Sequence, residues 1–414
     1  MSLKLSMDMA TGGADMLAPV NDILKKSQLV GILEHLGQEL EPTQTQYDTA
    51  KDHYEAVGRW LAEADHPFLR SVSIYPQGSM SLQTVTKPLA NDEYDVDLVC
   101  FVPDLHPNWI PPHELKKLIG ARLKDTDRYA KILEEKPRCW RINYANQFHL
   151  DITPSIPNPE CHLGGELVPD KRLREWKASN PKGYRDQFTT RAAMQPVFHL
   201  KKAELSGIRA QVEALPEPAK FKGLLRRSVQ LLKRHRDIWF SAGTAADLAP
   251  ISIIITTLAS RSYEYCVTHF VYDTELDVLL DVIRYMPSFV ETHQIHGQKH
   301  YFVWNETTDG ENFAEKWNHD PRLPEAFYIW HRHVLADFEG LTSQIGLDRV
   351  QDALAKSFGD RVAMKAMAAS TTAVSNARSS GLLTLAPGAG LLSVSPKGVA
   401  VRNNTFFGAP QGDG

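Results

Sequence analysis

The sequence predicts an α+β protein of two lobes, a small mixed sheet flanked by helices and then a helical second lobe. Three observations carry that expectation. Runs rich in β-branched and aromatic residues, 71–75 (SVSIY), 94–102 (YDVDLVCFV), 139–144 (CWRINY) and 148–152 (FHLDI), lie in the first part of the chain, separated by turn residues. From residue 221 onward apolar residues recur instead at helical spacing. The 414 residues suffice for two domains whose cores need no disulfide or metal staple.

Composition narrows the class. At 43% hydrophobic and 23% charged the chain is an ordinary globular one, and its formal net charge of −4 carries no global nucleic-acid-binding signature. Cys100, Cys139, Cys161 and Cys266 stand far apart with no C-x-x-C, so they read as buried thiols of a cytosolic protein rather than zinc ligands or a disulfide framework. No stretch approaches the roughly 20 apolar residues of a membrane span, and the N-terminus lacks a signal-peptide pattern. The expected location is the cytoplasm, with no membrane partner.

Residues 1–18 are small, polar and Met-rich, and are expected to be mobile. Helical spacing of Ile23, Leu24, Leu29, Ile32, Leu33 and Leu36 predicts a helix over 20–40, and Tyr47, Ala50, Tyr54, Val57, Trp60 and Leu61 predict another over 43–64. Those aromatics read as a docking stripe rather than a ligand box. The strand at 71–75 breaks at Pro76-Gln77-Gly78-Ser79, so a tight turn leads into another element. Without a Cβ, Gly78 lets backbone N–H groups approach an anion, and the Ser79 hydroxyl adds a donor.

In the run 94–102, Asp95 and Asp97 are two apart on a strand and share a face. Paired carboxylates on so apolar a strand call for a compensating cation. Mg²⁺ fits, because it takes oxygen ligands from one or two carboxylates together with substrate phosphates. The segments 139–144 and 148–152 read as a hairpin turning near Ala145-Asn146. Phe148, Leu150 and Ile152 share one face of its second arm, which leaves His149 and a third carboxylate, Asp151, on the other.

A helix over 111–129 closes the first lobe. The stretch 154–219 is rich in Pro, Lys and Arg, with Lys171, Arg172, Arg174, Trp176, Lys177, Lys182 and Arg185 as a basic patch interleaved with aromatics. Such a patch suits nucleic acid or a polyphosphate tail, but a solvated connection between lobes is the commoner outcome and the expectation here. In the helix 221–240, Phe221, Leu224, Leu225, Val229 and Leu232 form the buried stripe. Lys222, Arg226, Lys233 and Arg236 fall within a sector of about 80°, a basic face that is most simply solvated surface. The helix 250–259 (PISIIITTLA) is apolar nearly all round and belongs in a core.

Further on, 267–285 is helical in pattern. His293, His296 and His300 are loosely spaced and unsupported by Cys or carboxylates, so they read as polar loop rather than metal site. The last helices fall within 324–355. From about residue 364 the composition turns to Ala, Ser, Thr and Gly, which predicts a flexible tail. The expected division is therefore a mobile N-terminus (1–18), a first lobe with the N-terminal helices (19–219), a helical lobe (220–363) and a tail (364–414).

Taken together, GSMSLQTVTKP (78–88), EYDVDLVC (93–100), FHLDITPSIP (148–157) and REWKASNPKGYRDQF (174–188) resemble the polymerase-β-type nucleotidyltransferases, and in detail the bacterial cGAS/DncV-like nucleotidyltransferases. The resemblance spans roughly 46–317. It implies a bilobed polymerase-β-type fold, braced by a long N-terminal helix. The activity it implies joins nucleoside triphosphates into a cyclic di- or trinucleotide second messenger for anti-phage signalling, with release of pyrophosphate.

By the same resemblance Asp95, Asp97 and Asp151 are catalytic residues holding two Mg²⁺ ions, for which Mn²⁺ can substitute. Gln77, Gly78 and Ser79 bind the nucleotide, together with Lys233 in SVQLLKRHRD and Ser252 at the head of its helix, a place that favours anions. Residues 303–317 resemble a terminal substrate-recognition segment shared with oligoadenylate synthetases. The long gap between Ser79 and Asp95 departs from the family pattern and reads as a loop insertion. Nucleoside triphosphates are the implied partners, and nucleic acid is not required. A ubiquitin-ligase-like or HORMA-type regulator acting through the tail that ends in Gly414 is implied by some relatives. Two other readings stand beside this one: linear oligonucleotide synthesis or nucleotidylation of RNA or protein, and a non-catalytic nucleotide or RNA sensor on the same scaffold.

Overall fold

The computed structural model describes residues 12–89, 94–144, 148–170, 174–199, 222–241 and 245–379, and the strand pairs at 384–385, 392–393 and 399–400. It begins with two helices, α1 (Gly12–Glu39) and α2 (Gln44–Ala62). Thr43 starts α2 with a capping box: its hydroxyl accepts from the Gln46 amide while the Gln46 side chain accepts from the Thr43 amide. The strand β1 (Ser73–Pro76) runs into a five-residue helix α3 (Gly78–Leu82), and β2 (Tyr94–Phe101) follows. Then come α4 (Pro112–Lys124), α5 (Asp127–Ala130), β3 (Leu133–Glu135), β4 (Trp140–Tyr144) and β5 (Phe148–Pro157).

The sheet order is β1-β2-β5-β4-β3, with β2 parallel to β5 and the other neighbours antiparallel, so the sheet is mixed as expected. Strand alternation sends Val96, Leu98, Cys100, Ile142, Leu150 and Ile152 to one face, where Ala50, Val57 and Leu61 of α2 and Ile119 and Leu123 of α4 bury them. The alternate residues of β2 and β5, which include all three aspartates, are left for the other face.

Residues 158–199, expected as a solvated connection, are built instead as β6 (Glu166–Asp170), β7 (Glu175–Ser179), α6 (Pro181–Ala193) and β8 (Val197–Phe198). Asn180 caps α6 by accepting from the Gly183 amide, and Pro181 fits its first turn. Phe188 and Ala192 of α6 join the core of the helical lobe. Lys171 and Arg172 lie outside the described residues.

The helical lobe comprises α7 (Leu224–Ser241), α8 (Ser252–His269), β9 (Val271–Tyr272), α9 (Glu275–Tyr285), a hairpin β10 (Glu291–Ile295) and β11 (Gln298–Phe302), α10 (Arg322–Ser343), α11 (Leu347–Phe358) and α12 (Asp360–Ser379). The single helical pattern read over 267–285 is split, because Val271 and Tyr272 pair with β8 and Thr274 opens α9 with its own capping box. The histidines lie on the hairpin rather than in a loop, His293 directly opposite His300 and His296 in its turn.

Two further expectations change. The first helix starts at Gly12, inside the stretch expected as a mobile lead; residues 1–11 lie outside the described residues. Leu29, Ile32, Leu33 and Leu36 of that helix, with Leu40 just beyond it, enter the helical lobe's core, while α2 serves the sheet. Nor does the tail start at 364: α12 runs to Ser379 and buries Ala363, Ala366 and Met367 in that core. Alanines at helical spacing make a strong helix that approaches its neighbour closely, which outweighs the low apolar content. Gly414 lies outside the described residues. Among the described residues no helix is long and apolar enough to cross a membrane.

Candidate active site

The parallel register of β2 and β5 sets Asp97 directly beside Asp151, and Asp95 beside His149. The three predicted carboxylates therefore share one end of the open sheet face. Burial first, and then the charges of Asp151 and Asp95, push the Asp97 carboxyl up to about 7, against the pull of Lys233 and Arg141. A buried carboxylate pushed up further by its like-charged neighbours sits in a cluster short of positive charge. Its donors are all carboxylate oxygens, the set that a hard divalent cation takes. Among the described residues, however, no three His, Cys, Asp or Glu side chains converge as a ready cation cage.

A residue that sequence reasoning passed over explains part of that arrangement. Antiparallel pairing puts Arg141 of β4 opposite Asp151. Its Nε and Nη2 donate to the two Asp151 oxygens, both at 2.7 Å, and Nη2 lies 3.3 Å from Asp95 Oδ1. The fork on Asp151 holds the guanidinium above its usual value.

At the sheet edge, the Gln77 amide donates to the Asp97 carbonyl at 2.8 Å, which seats the turn on β2. Gly78 follows with φ +59°, and a Cβ built there would lie 2.5 Å from Asp97 Oδ2. The absent side chain leaves room at the carboxylate. Ser79 sits next to it in the first turn of α3, partly buried. Gln77 itself turns its side chain to Thr153 on β5, with Nε2 3.5 Å from the hydroxyl oxygen.

The basic face of α7 is not solvated surface. Lys222, just ahead of the helix, pairs with Glu41, and Arg226 donates to the Leu82 carbonyl. Lys233, only 5% exposed, donates to the Thr84 carbonyl at 2.9 Å, and burial lowers its pKa to about 8. An ammonium has three protons, so this bond leaves two for another acceptor. Gln230 holds the Val85 carbonyl at 2.9 Å. Arg234 donates to the Lys87 and Phe358 carbonyls. The face is a seam that fixes the segment after α3 to the helical lobe. Ser252 heads α8 as expected, and its hydroxyl accepts from Arg236 at 3.1 Å.

Over most of its length the chain is similar to known proteins. The model of the Second Messenger Oligonucleotide or Dinucleotide Synthetase domain matches residues 28–191. A c-di-GMP synthase from Roseivirga ehrenbergii is 31% identical over 390 residues, 92% of this chain and 98% of that protein. The cyclic dinucleotide synthase CdnG of Bradyrhizobium diazoefficiens is 27% identical over 342 residues, 77% of this chain and 78% of that protein. Its solved structure, the CD-NTase CdnG in complex with GTP, covers 82% of this chain and 98% of its own, with a TM-score of 0.61 and 24% identity in the superposition. The CdnC:HORMA-deltaN complex of E. coli MS115-1 covers 79% of this chain and 96% of that chain at a TM-score of 0.53 and 11% identity, a likeness of fold.

Proposed function

The chain belongs to the CD-NTase family, the cGAS/DncV-like nucleotidyltransferases that synthesise cyclic oligonucleotides, and we propose that it converts GTP into cyclic di-GMP at the acidic end of its sheet. The name of the Roseivirga relative supports the choice of product. The observation that carries the choice of site is the register that sets Asp97 beside Asp151, with the side-chain-free turn at Gly78 against Asp97. The family uses divalent metal.

Here Asp95 and Asp97 would hold two cations, Mg²⁺ or Mn²⁺, with Asp151 joining the seat of one. When bound they neutralise charge on the attacking and leaving oxygens of an in-line displacement. The work of the chain's own residues is positioning and charge. Gly78 makes room for the donor triphosphate beside Asp97, and the Ser79 hydroxyl and neighbouring amides donate to it. Gln77 holds the turn through its amide. Lys233 keeps the segment after α3 in place through Thr84 and turns its remaining protons to the triphosphate, and Ser252 offers its hydroxyl from the other lobe. Asp151 helps take the proton of the ribose hydroxyl as that oxygen bonds to the α-phosphorus and pyrophosphate leaves. A second round within the bound linear intermediate closes the ring.

The reading extends to the setting. A triphosphate-consuming synthase belongs in the cytoplasm, and anti-phage signalling is the role that the family resemblance suggests. A ubiquitin-ligase-like or HORMA-type regulator would act through the C-terminal tail, of which Ala366 and Met367 are already packed in the core.

The test is incubation of the purified chain with radiolabelled GTP, alone and with ATP, CTP and UTP, in Mg²⁺ or Mn²⁺, followed by phosphatase and chromatography. A phosphatase-resistant product containing only guanosine is expected, absent from a folded Asp97→Asn protein. A resistant product with a second base would overturn the GTP-only assignment, and products that phosphatase degrades completely would overturn cyclisation.

A further inference from the structure

Arg141 is a charged side chain at the heart of the site that the reaction as proposed does not use. It projects from β4 between two of the three carboxylates, grips both oxygens of Asp151 at 2.7 Å and reaches Asp95 at 3.3 Å. The pair is sheltered, with the side chains of Asp151 and Arg141 15% and 23% exposed. A planar fork in this geometry is the strongest kind of carboxylate partner that a side chain offers. It supplies positive charge to carboxylates that would otherwise repel one another. Any cation that takes the same oxygens must share them with the guanidinium or displace it.

We propose that Arg141 is the standing counter-ion of the acidic site, and that it sets the site's affinity for divalent cations by competing for Asp151 and Asp95. The inference rests on the reading that these aspartates hold the cations. It makes Arg141 a positioning residue whose loss strengthens cation binding, where loss of a mere structural brace would weaken it. Directly opposite Arg141 on the neighbouring strand β3 is Glu134, a carboxylate already paired with Lys136 at 2.6 Å that an opened fork would have to share.

The experiment titrates Mn²⁺ alone into the full chain without nucleotide, reading free Mn²⁺ by electron paramagnetic resonance. An adjacent opposite charge typically shifts a carboxylate's equilibrium by one or more powers of ten, so Arg141→Gln is expected to bind Mn²⁺ about ten-fold tighter. Arg141→Lys keeps the charge and loses the fork, so it should fall between the two and decides the matter if the glutamine variant does not fold. The same variants should melt lower than the parent without Mn²⁺ and recover more when it is added. Affinity unchanged or weakened in the folded variants overturns the proposal. An Asp95→Asn, Asp97→Asn protein separates the two ideas. If Mn²⁺ binding survives that change, the acidic-site reading has failed; if binding is lost there while the Arg141 variants bind like the parent, only the role of Arg141 has.

Discussion

Replacing Gly78 by alanine tests the site where backbone and carboxylate meet. The added methyl would lie 2.5 Å from Asp97 Oδ2 and 3.3 Å from its carboxyl carbon, and contacts under 3.0 Å are essentially absent around real Cβ atoms. Either the turn or the carboxylate must therefore move by roughly half an ångström or more. A displacement on the order of 1 Å at a reacting centre costs about a hundred-fold in rate, so kcat/KM for GTP should fall by that order. The left-handed backbone at φ +59° adds a separate cost of about 1–2 kcal/mol in stability. Gly297→Ala isolates that second term, because Gly297 is also left-handed, at φ +76°, and has nothing within 4 Å of its built Cβ. Pyrophosphate release and denaturant unfolding, measured on both variants, separate the effects. Both should lose stability, and only Gly78→Ala should lose turnover. Turnover within about three-fold of the parent in Gly78→Ala would refute the inference that this glycine is there for Asp97.

Two further changes probe what holds the lobes. Arg227, 4% exposed, binds both oxygens of the buried Glu34 on α1 and reaches Glu41; Arg227→Ala strands those carboxylates and should cost about 3–5 kcal/mol in denaturant unfolding, and a loss below about 1 kcal/mol would mean that the network is not what seats α1. Glu311 is pushed by burial from 4.5 to about 7, so the folded chain binds a proton that the unfolded chain has released, and stability should fall as pH rises from about 4.5 through 7 and level off above. Glu311→Gln should flatten that slope and gain up to roughly 3 kcal/mol at pH 8, and an unchanged pH–stability profile would count against the burial.

Much of the site was legible because it lies on strands. Alternation alone puts Asp95 and Asp97 on one face, and the hairpin turning near Ala145-Asn146 puts Asp151 on the same side of its arm as His149. That hairpin also carried the signal for Arg141. Counting back symmetrically from Asn146 pairs residue 141 with residue 151, the register that the structure has. The side-by-side placement of Asp97 and Asp151 was not legible in that way, because β2 and β5 are separated by two helices and two strands. A parallel register between distant strands is fixed by the packing of what lies between them.

The charged residues of α7 misled for a related physical reason. Lys222, Arg226, Lys233 and Arg236 on one sector read as a solvated face, since a helix turns its cations to water unless something accepts them. What accepts them is mostly backbone, and its carbonyls carry no mark in a sequence. Leu82, Thr84, Val85 and Lys87 each present a carbonyl to Arg226, Lys233, Gln230 or Arg234. The stretch from α3 to residue 87 has lost its regular secondary structure after Leu82, so its carbonyls are free to be taken up this way. The consequence bears on catalysis. The segment that follows α3 belongs by sequence to the sheet lobe and by hydrogen bonding to the helical one, while the Gln77 amide seats the turn ahead of it on Asp97. Any motion of one lobe against the other must therefore break these four contacts or strain the short stretch that joins them to the Gly78 turn. If the Gly78 turn receives the triphosphate as proposed, its binding is linked to lobe geometry through α7.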